Sequence, residues 1–336
     1  MLRRSFNGLF AATAAVALLG GVGATDALAQ SKQVLKAADV HPLGYPTVEA
    51  VVRMGKKLEA ATNGRLSIQM YPSMQLGGEK EMIEQAQVGA LQFARVSVGP
   101  MGSIVDDLNV FNMPFVFRDV PHMQKVIDGA IGNELLKKLT DAPASKLVGL
   151  CWMDAGARSF YNSKKPVKTI DDLKGLKIRM MGNPIFVDTA NAIGANGIAM
   201  GFDQLINALQ TGVVDGAENN PPSYESGKHY QFAKYYSLSE HLIIPEILVF
   251  SRATWDKLSK EDQALVAKLG KEAQQEERKL WAEREAASMA ELKKQGIEII
   301  TFTPDEKKKF QAAVKPVWDK YGAKYTELVK RIQDVK

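Results

Sequence analysis

From Val34 onward the sequence switches repeatedly between two periodicities, and this limits the fold more than any other feature. "VLKAADV" reads as a strand, and "RLSIQMY" alternates with Leu66, Ile68 and Met70 on one face. Between them, "GYPTVEAVVRMGKKLEAATNG" is an amphipathic helix that stops at Asn63-Gly64. A helix over "GGEKEMIEQAQVG" then leads into the strand "LQFARVSV". "LVGLCWM", "RSFYN", "LKIRM", "VVDGAE" and "ILVFS" continue the strands, and "PIFVDTANAIG" and "FDQLINALQTG" the helices. Thr169 is placed to cap a turn of helix before "LKIRM". Strands regularly spaced by helices predict an α/β protein.

Two joints repeat. "EQAQVGALQF" and "NALQTGVVDG" both run helix, glycine, strand, as two similar α/β halves would. After Ser259 comes a charged helical stretch of more than thirty residues, with apolar positions at Leu265, Leu269, Leu280 and Met289. That exceeds the ordinary globular range and suits a strut across two lobes. A last strand, "IEIITF", precedes a helix that Thr303 caps and Pro304 starts.

The N-terminus has the three parts of an export signal: Arg3 and Arg4, an apolar run from Leu9 to Leu19, and the small-x-small site Ala27-Leu28-Ala29. Cleavage near Ala29 sends the product to the periplasm; the paired arginines leave both the general and the twin-arginine routes open. Removing 29 of 336 residues leaves 307, room for two domains. The formal charge falls from +5 to +4 as two arginines and Asp26 go. Lysines and acids are interleaved without a basic stripe, which argues against a nucleic-acid partner. Cys151 is the only cysteine, so no internal disulfide forms, and its apolar surroundings predict an inert thiol.

Hydrolase and nucleotide motifs are missing, and the four histidines are scattered. What remains is a set of basic and amide groups at strand ends. Arg95 lies within "LQFARVSV", where a charge needs a partner; Arg158 opens "RSFYN"; Arg179 closes "KIRM" at the Gly182-Asn183 corner; Asn219 follows "VVDGAE". Ligands of open α/β sheets gather beyond the carboxyl ends of strands, and the planar fork of arginine fits a carboxylate. Each residue alone also fits an ion-paired or turn-capping role.

"DLKGLKIRMMGNP" together with "FDQLINALQTGVVDGAENNPPSY" resembles the substrate-binding proteins of TRAP transporters, the DctP family. The resemblance extends through "YPSMQLGGEKEMIEQAQVGALQF", "VFNMPFVFRD" and "WDKLSKEDQALV" and covers the mature chain. It implies a two-lobed clam with a long helix spanning both lobes. Lobe I would hold residues 33–155 and 245–284, and lobe II residues 156–244 and 285–336. The family's central carboxylate clamp falls on Arg179, its second arginine on Arg158 and its asparagine on Asn219. His41, Glu79, Arg95 and Asn183 are expected to complete the ligand site. No cofactor or metal is implied. The partners are a small organic acid and the membrane permease, and the receptor is expected to be a monomer without catalytic activity. So polar a set suits a sugar acid, a hexuronate such as glucuronate or galacturonate. C4-dicarboxylates, keto acids, an exported sugar-acid lyase or isomerase, and a sensory receptor stay as alternatives.

Overall fold

The structure, a computed structural model, describes residues 32–336; the expected export signal lies outside them. In chain order the strands are β1 (Gln33–Ala38), β2 (Leu66–Tyr71), β3 (Phe93–Ser97), β4 (Leu147–Met153), β5 (Ala157–Asn162), β6 (Lys177–Met180), β7 (Asn196–Ala199), β8 (Gly216–Asn219), β9 (Tyr235–Ile243), β10 (Glu246–Ser251) and β11 (Glu298–Thr301). They form two mixed sheets, ordered β2-β1-β3-β10-β4 and β11-β9-β5-β8-β6-β7.

The repeated joint in the sequence corresponds to a repeated topology. In the first sheet the parallel trio β2-β1-β3 is followed by antiparallel β10. In the second, the parallel trio β7-β6-β8 is followed by antiparallel β5. Helix Glu79–Gln87 feeds β3 through Gly89 at φ +83°, and helix Phe202–Gln210 leads to β8 through Gly212 at φ +73°. Both glycines occupy the left-handed region that L-residues avoid, so each helix ends there and a short turn carries the chain on to its strand.

The chain crosses between the sheets through Asp154–Gly156, which joins β4 to β5, through Ile244-Pro245, which joins β9 to β10, and along the helix Lys260–Lys294. Ser259 caps this 35-residue helix by accepting from the Asp262 N–H. Its first half packs Val266, Leu269 and Ala273 against Val148 and Leu150 of the first sheet. Near its end, Leu292 and Met289 join Tyr161, Tyr224 and Tyr236 beneath the second. The expected stripe is thus only partly apolar. Leu280 is half-buried, whereas Gln274, Glu277 and Ser288 are buried on the inner face. The caps read from sequence are in place: Thr169 forms a capping box with Asp172, and Thr303 accepts from the Glu306 N–H ahead of Pro304.

Candidate functional site

A cavity of about 700 Å³ lies between the two sheets. β1, β3, β6 and β8 point their carboxyl ends at it, as open α/β sheets do at ligand sites. The antiparallel strands begin there instead: Glu246 of β10 pairs with Ser97, and Ser159 of β5 pairs with Asn219. Six of the seven residues expected from sequence line this cavity: His41, Glu79, Arg95, Arg158, Arg179 and Asn219.

The three arginines are all buried, but their charges are met differently. Arg95 is surrounded by carboxylates. Its Nε donates to Asp39 at 3.0 Å and its Nη2 also reaches Asp39, while Nη1 is shared between Glu79 at 2.9 Å and Glu246 at 2.6 Å. Burial opposes its charge, yet these acids hold its pKa well above the ordinary value. Arg158 grips Glu218 with Nε at 2.6 Å and Nη2 at 2.8 Å, and donates from Nη1 to Asn219 Oδ1 at 2.7 Å. Arg179 has no such partner. Its Nε donates to the Met200 carbonyl at 2.8 Å, its Nη1 is buried without a bond, and no carboxylate among the described residues pairs with it. Burial pushes its pKa below the usual arginine value, with Glu218 pulling the other way and Arg158 adding to the push. A buried cation is costly until an anion meets it.

The remaining groups carry unspent bonding capacity. Asn219 Oδ1 is taken by Arg158 and by the Asn220 N–H, which turns its amide NH2 outward from that pair. His41 is no surface histidine. It is buried, stacked on Tyr45 at 3.7 Å and edge-on to Phe202, and its Nδ1 has no partner. Burial, reinforced by Arg95, drives its pKa down to about 3, so the ring is neutral at physiological pH. Asn183 does not line the cavity. Its oxygen caps the helix Pro184–Ala192 at the Ile185 N–H, and its NH2 donates to the Gly99 carbonyl and Asn109 Oδ1. Cys151 is buried in β4 with its thiol pushed up to about 12 by burial. Sequence reasoning missed the counter-carboxylates Asp39, Glu218 and Glu246. Asp39 follows β1 two residues before His41, Glu218 precedes Asn219 in β8, and Glu246 opens β10 opposite Ser97 at the end of the strand that carries Arg95.

Glu79 begins its helix and accepts from the Ser97 N–H at 3.0 Å as well as from Arg95. Burial, set against Arg95 and aided by Glu246, pushes its pKa up to about 7. Between the unfolded carboxylate value near 4.5 and about 7, the folded protein keeps a proton that the unfolded chain has lost. The associated stability is complete below that window and disappears as the pH rises through it. Wild type should therefore lose melting temperature relative to Glu79→Gln between pH 4.5 and 7.5; a constant gap would mean that Glu79 does not titrate there.

A cleft between two similar sheets, lined by three buried arginines of which only Arg179 lacks an acid partner among the described residues, is the build of a receptor for a small anion. The chain belongs to the bacterial extracellular solute-binding proteins, family 7 (DctP), whose family model matches residues 37–324. Among solved structures, a TRAP periplasmic solute-binding protein from Pseudomonas putida F1 with bound D-glucuronate is 54% identical. It superposes with a TM-score of 0.88 over 90% of this chain and 98% of that one. One from a Bradyrhizobium species, in complex with α/β-D-galacturonate, is 47% identical, with a TM-score of 0.86 over 90% and 100% of the two chains. The Citrobacter koseri protein has been solved in two states. With D-glucuronate it gives a TM-score of 0.88 at 46% identity over 90% and 100% of the chains. The apo, open form gives 0.78 at 44% identity over 90% and 98%. The present structure thus superposes better on the liganded state. Among the described residues, no helix is long and apolar enough to cross a membrane.

Proposed function

We propose that this TRAP receptor captures a hexuronate, D-glucuronate or D-galacturonate, and hands it to the membrane permease. The observation that carries the reading is the lone charge of Arg179. Arg95 and Arg158 are neutralised by Asp39, Glu79, Glu246 and Glu218, which leaves Arg179 as the one of the three buried arginines free to meet a carboxylate. A C4-dicarboxylate would bring a second negative charge to a site already rich in acids. A hexuronate brings one carboxylate and several hydroxyls. These suit the unpaired Nδ1 of His41, the outer oxygen of Glu79, the NH2 of Asn219 and the remaining Nη1 proton of Arg158. Arg95 acts by holding Glu79 in place. The relatives from Pseudomonas, Bradyrhizobium and Citrobacter carry hexuronates in their structures, which supports the same cargo here.

Capture is binding without chemistry. Residues 33–155 with 245–284 form one lobe and residues 156–244 with 285–336 the other, turning about the two short crossings and the long helix. The ligand touches both lobes only when they close, so it shifts the hinge equilibrium toward the closed form that the permease reads. The receptor works as an exported monomer that binds no nucleic acid. A thermal-shift panel tests the cargo. A ligand at ~100 times its Kd adds about 2.7 kcal/mol, or roughly 4–8 °C for a chain of this size. D-glucuronate or D-galacturonate should produce that shift and succinate should not; a shift with succinate alone would replace the hexuronate by a dicarboxylate.

A further inference from the structure

The two halves of the molecule also meet at the edge of the ligand cavity, which Ser223 itself lines, through a contact that the anion-binding account does not use. Tyr45 Oη lies 2.9 Å from Ser223 Oγ, and both residues are buried. Tyr45 follows β1 and immediately precedes the helix Pro46–Ala61; Ser223 lies in the helix Pro221–Ser226 just after β8. Each hydroxyl sits a few residues beyond a cavity residue of its own half, His41 in one and Asn219 in the other. Both ends are fixed. The Tyr45 ring stacks on His41 with 9° between planes and meets Trp281 of the long helix edge-on at 5.9 Å. Ser223 is held by the cap that Asn220 forms, its N–H donating to Asn220 Oδ1 at 2.8 Å.

We propose that the Tyr45–Ser223 hydrogen bond is the latch of the closed receptor, with Tyr45 as a positioning residue that couples ligand-bound His41 to lobe closure. This rests on the reading of the molecule as a receptor that closes over its cargo. Two hydroxyls that water solvates in the open form lose that water on closing, and each then depends on the other. Burial lifts the Tyr45 pKa, so the phenol keeps its proton to donate or share. The geometry makes the two hydroxyls unequal in what their loss leaves behind. Tyr45→Phe keeps the ring on His41 and Trp281 and leaves a serine hydroxyl that can rotate. Ser223→Ala leaves a phenol fixed by two ring contacts, buried and unpaired, which is the more costly defect.

The test is stopped-flow binding of D-glucuronate and D-galacturonate to the mature protein, reading association and dissociation separately. Tyr45→Phe should speed dissociation about 3- to 10-fold and Ser223→Ala about 10- to 100-fold, with association nearly unchanged. Tyr45→Phe/Ser223→Ala should dissociate more slowly than Ser223→Ala alone, because removing both hydroxyls leaves none stranded. The melting temperature of the ligand-free protein should not move in Tyr45→Phe, which a merely structural role for the hydroxyl would change. Dissociation rates equal to wild type in both single variants, or effects that simply multiply in the double variant, would overturn the latch while leaving the receptor reading intact. No binding of either hexuronate by wild type would overturn that reading, and the latch with it.

Discussion

Arg179→Met should weaken hexuronate binding by about 100- to 1,000-fold and, at the same time, make the ligand-free receptor more stable. The two effects have one cause. Losing one member of a buried, hydrogen-bonded charge pair costs about 2–5 kcal/mol of binding, and each 1.4 kcal/mol is about tenfold in Kd. Before the ligand arrives, however, Arg179 is a buried guanidinium with an idle Nη1 and no acid partner. Its removal relieves a desolvation cost and strands only the Met200 carbonyl that its Nε serves. A methionine of similar reach should raise stability by about 1–3 kcal/mol, since apolar residues that replace buried charges are often neutral or stabilising. Chemical denaturation and titration calorimetry on the same samples would check both signs. A variant that binds poorly because it is partly unfolded would contradict the account.

Arg95→Met should do the opposite to the fold. Arg95 is the shared counter-charge of Asp39, Glu79 and Glu246, all gathered at the carboxyl end of β3. Without it three buried carboxyls face one another, and the loss should be about 3–5 kcal/mol or more, roughly 10 °C in melting temperature. The defect should shrink on acidification, because protonated carboxyls need no counter-charge. A chain that lost binding with its melting temperature unchanged would show that Arg95 serves the ligand directly. Two arginines alike in type and burial thus part company according to what already surrounds them.

That difference was not legible in the sequence. Arg179 and Arg158 could be placed at strand ends because "LKIRM" and "RSFYN" carry clear strand patterns. Arg95 could be marked as anomalous because it interrupts an apolar strand. Which of the three was unpaired depended on acids distant in the chain. Glu246 lies 151 positions from Arg95, and Glu218 lies 60 from Arg158; no local pattern links them. Asn183 was over-read for the same reason. Its place at the corner before Pro184 was visible, but not that Gly99 and Asn109 would absorb its amide.

The fold was more accessible. Alternating periods pointed to the α/β class, and the twin helix-glycine-strand joints anticipated two similar halves, though not the parallel trios or the short strand β7 that completes the second. β9 escaped notice because Ser237, Ser239 and His241 are buried but polar while Tyr236 and Leu242 are buried at the intervening positions, so no hydrophobic alternation marks the strand. The long helix was found by its length, but its contact face could not be read from leucines when Gln274, Glu277 and Ser288 occupy it.

Titration calorimetry of the mature protein with D-glucuronate and with D-glucuronamide tests the central claim most directly. The two share ring and hydroxyls and differ in the charge that Arg179 is proposed to meet. Measurable heat with the acid and none with the amide, the acid's heat vanishing in Arg179→Met, is the expected result. Equal affinities for the two sugars would mean that the cavity reads hydroxyls alone and that the lone arginine is not the clamp.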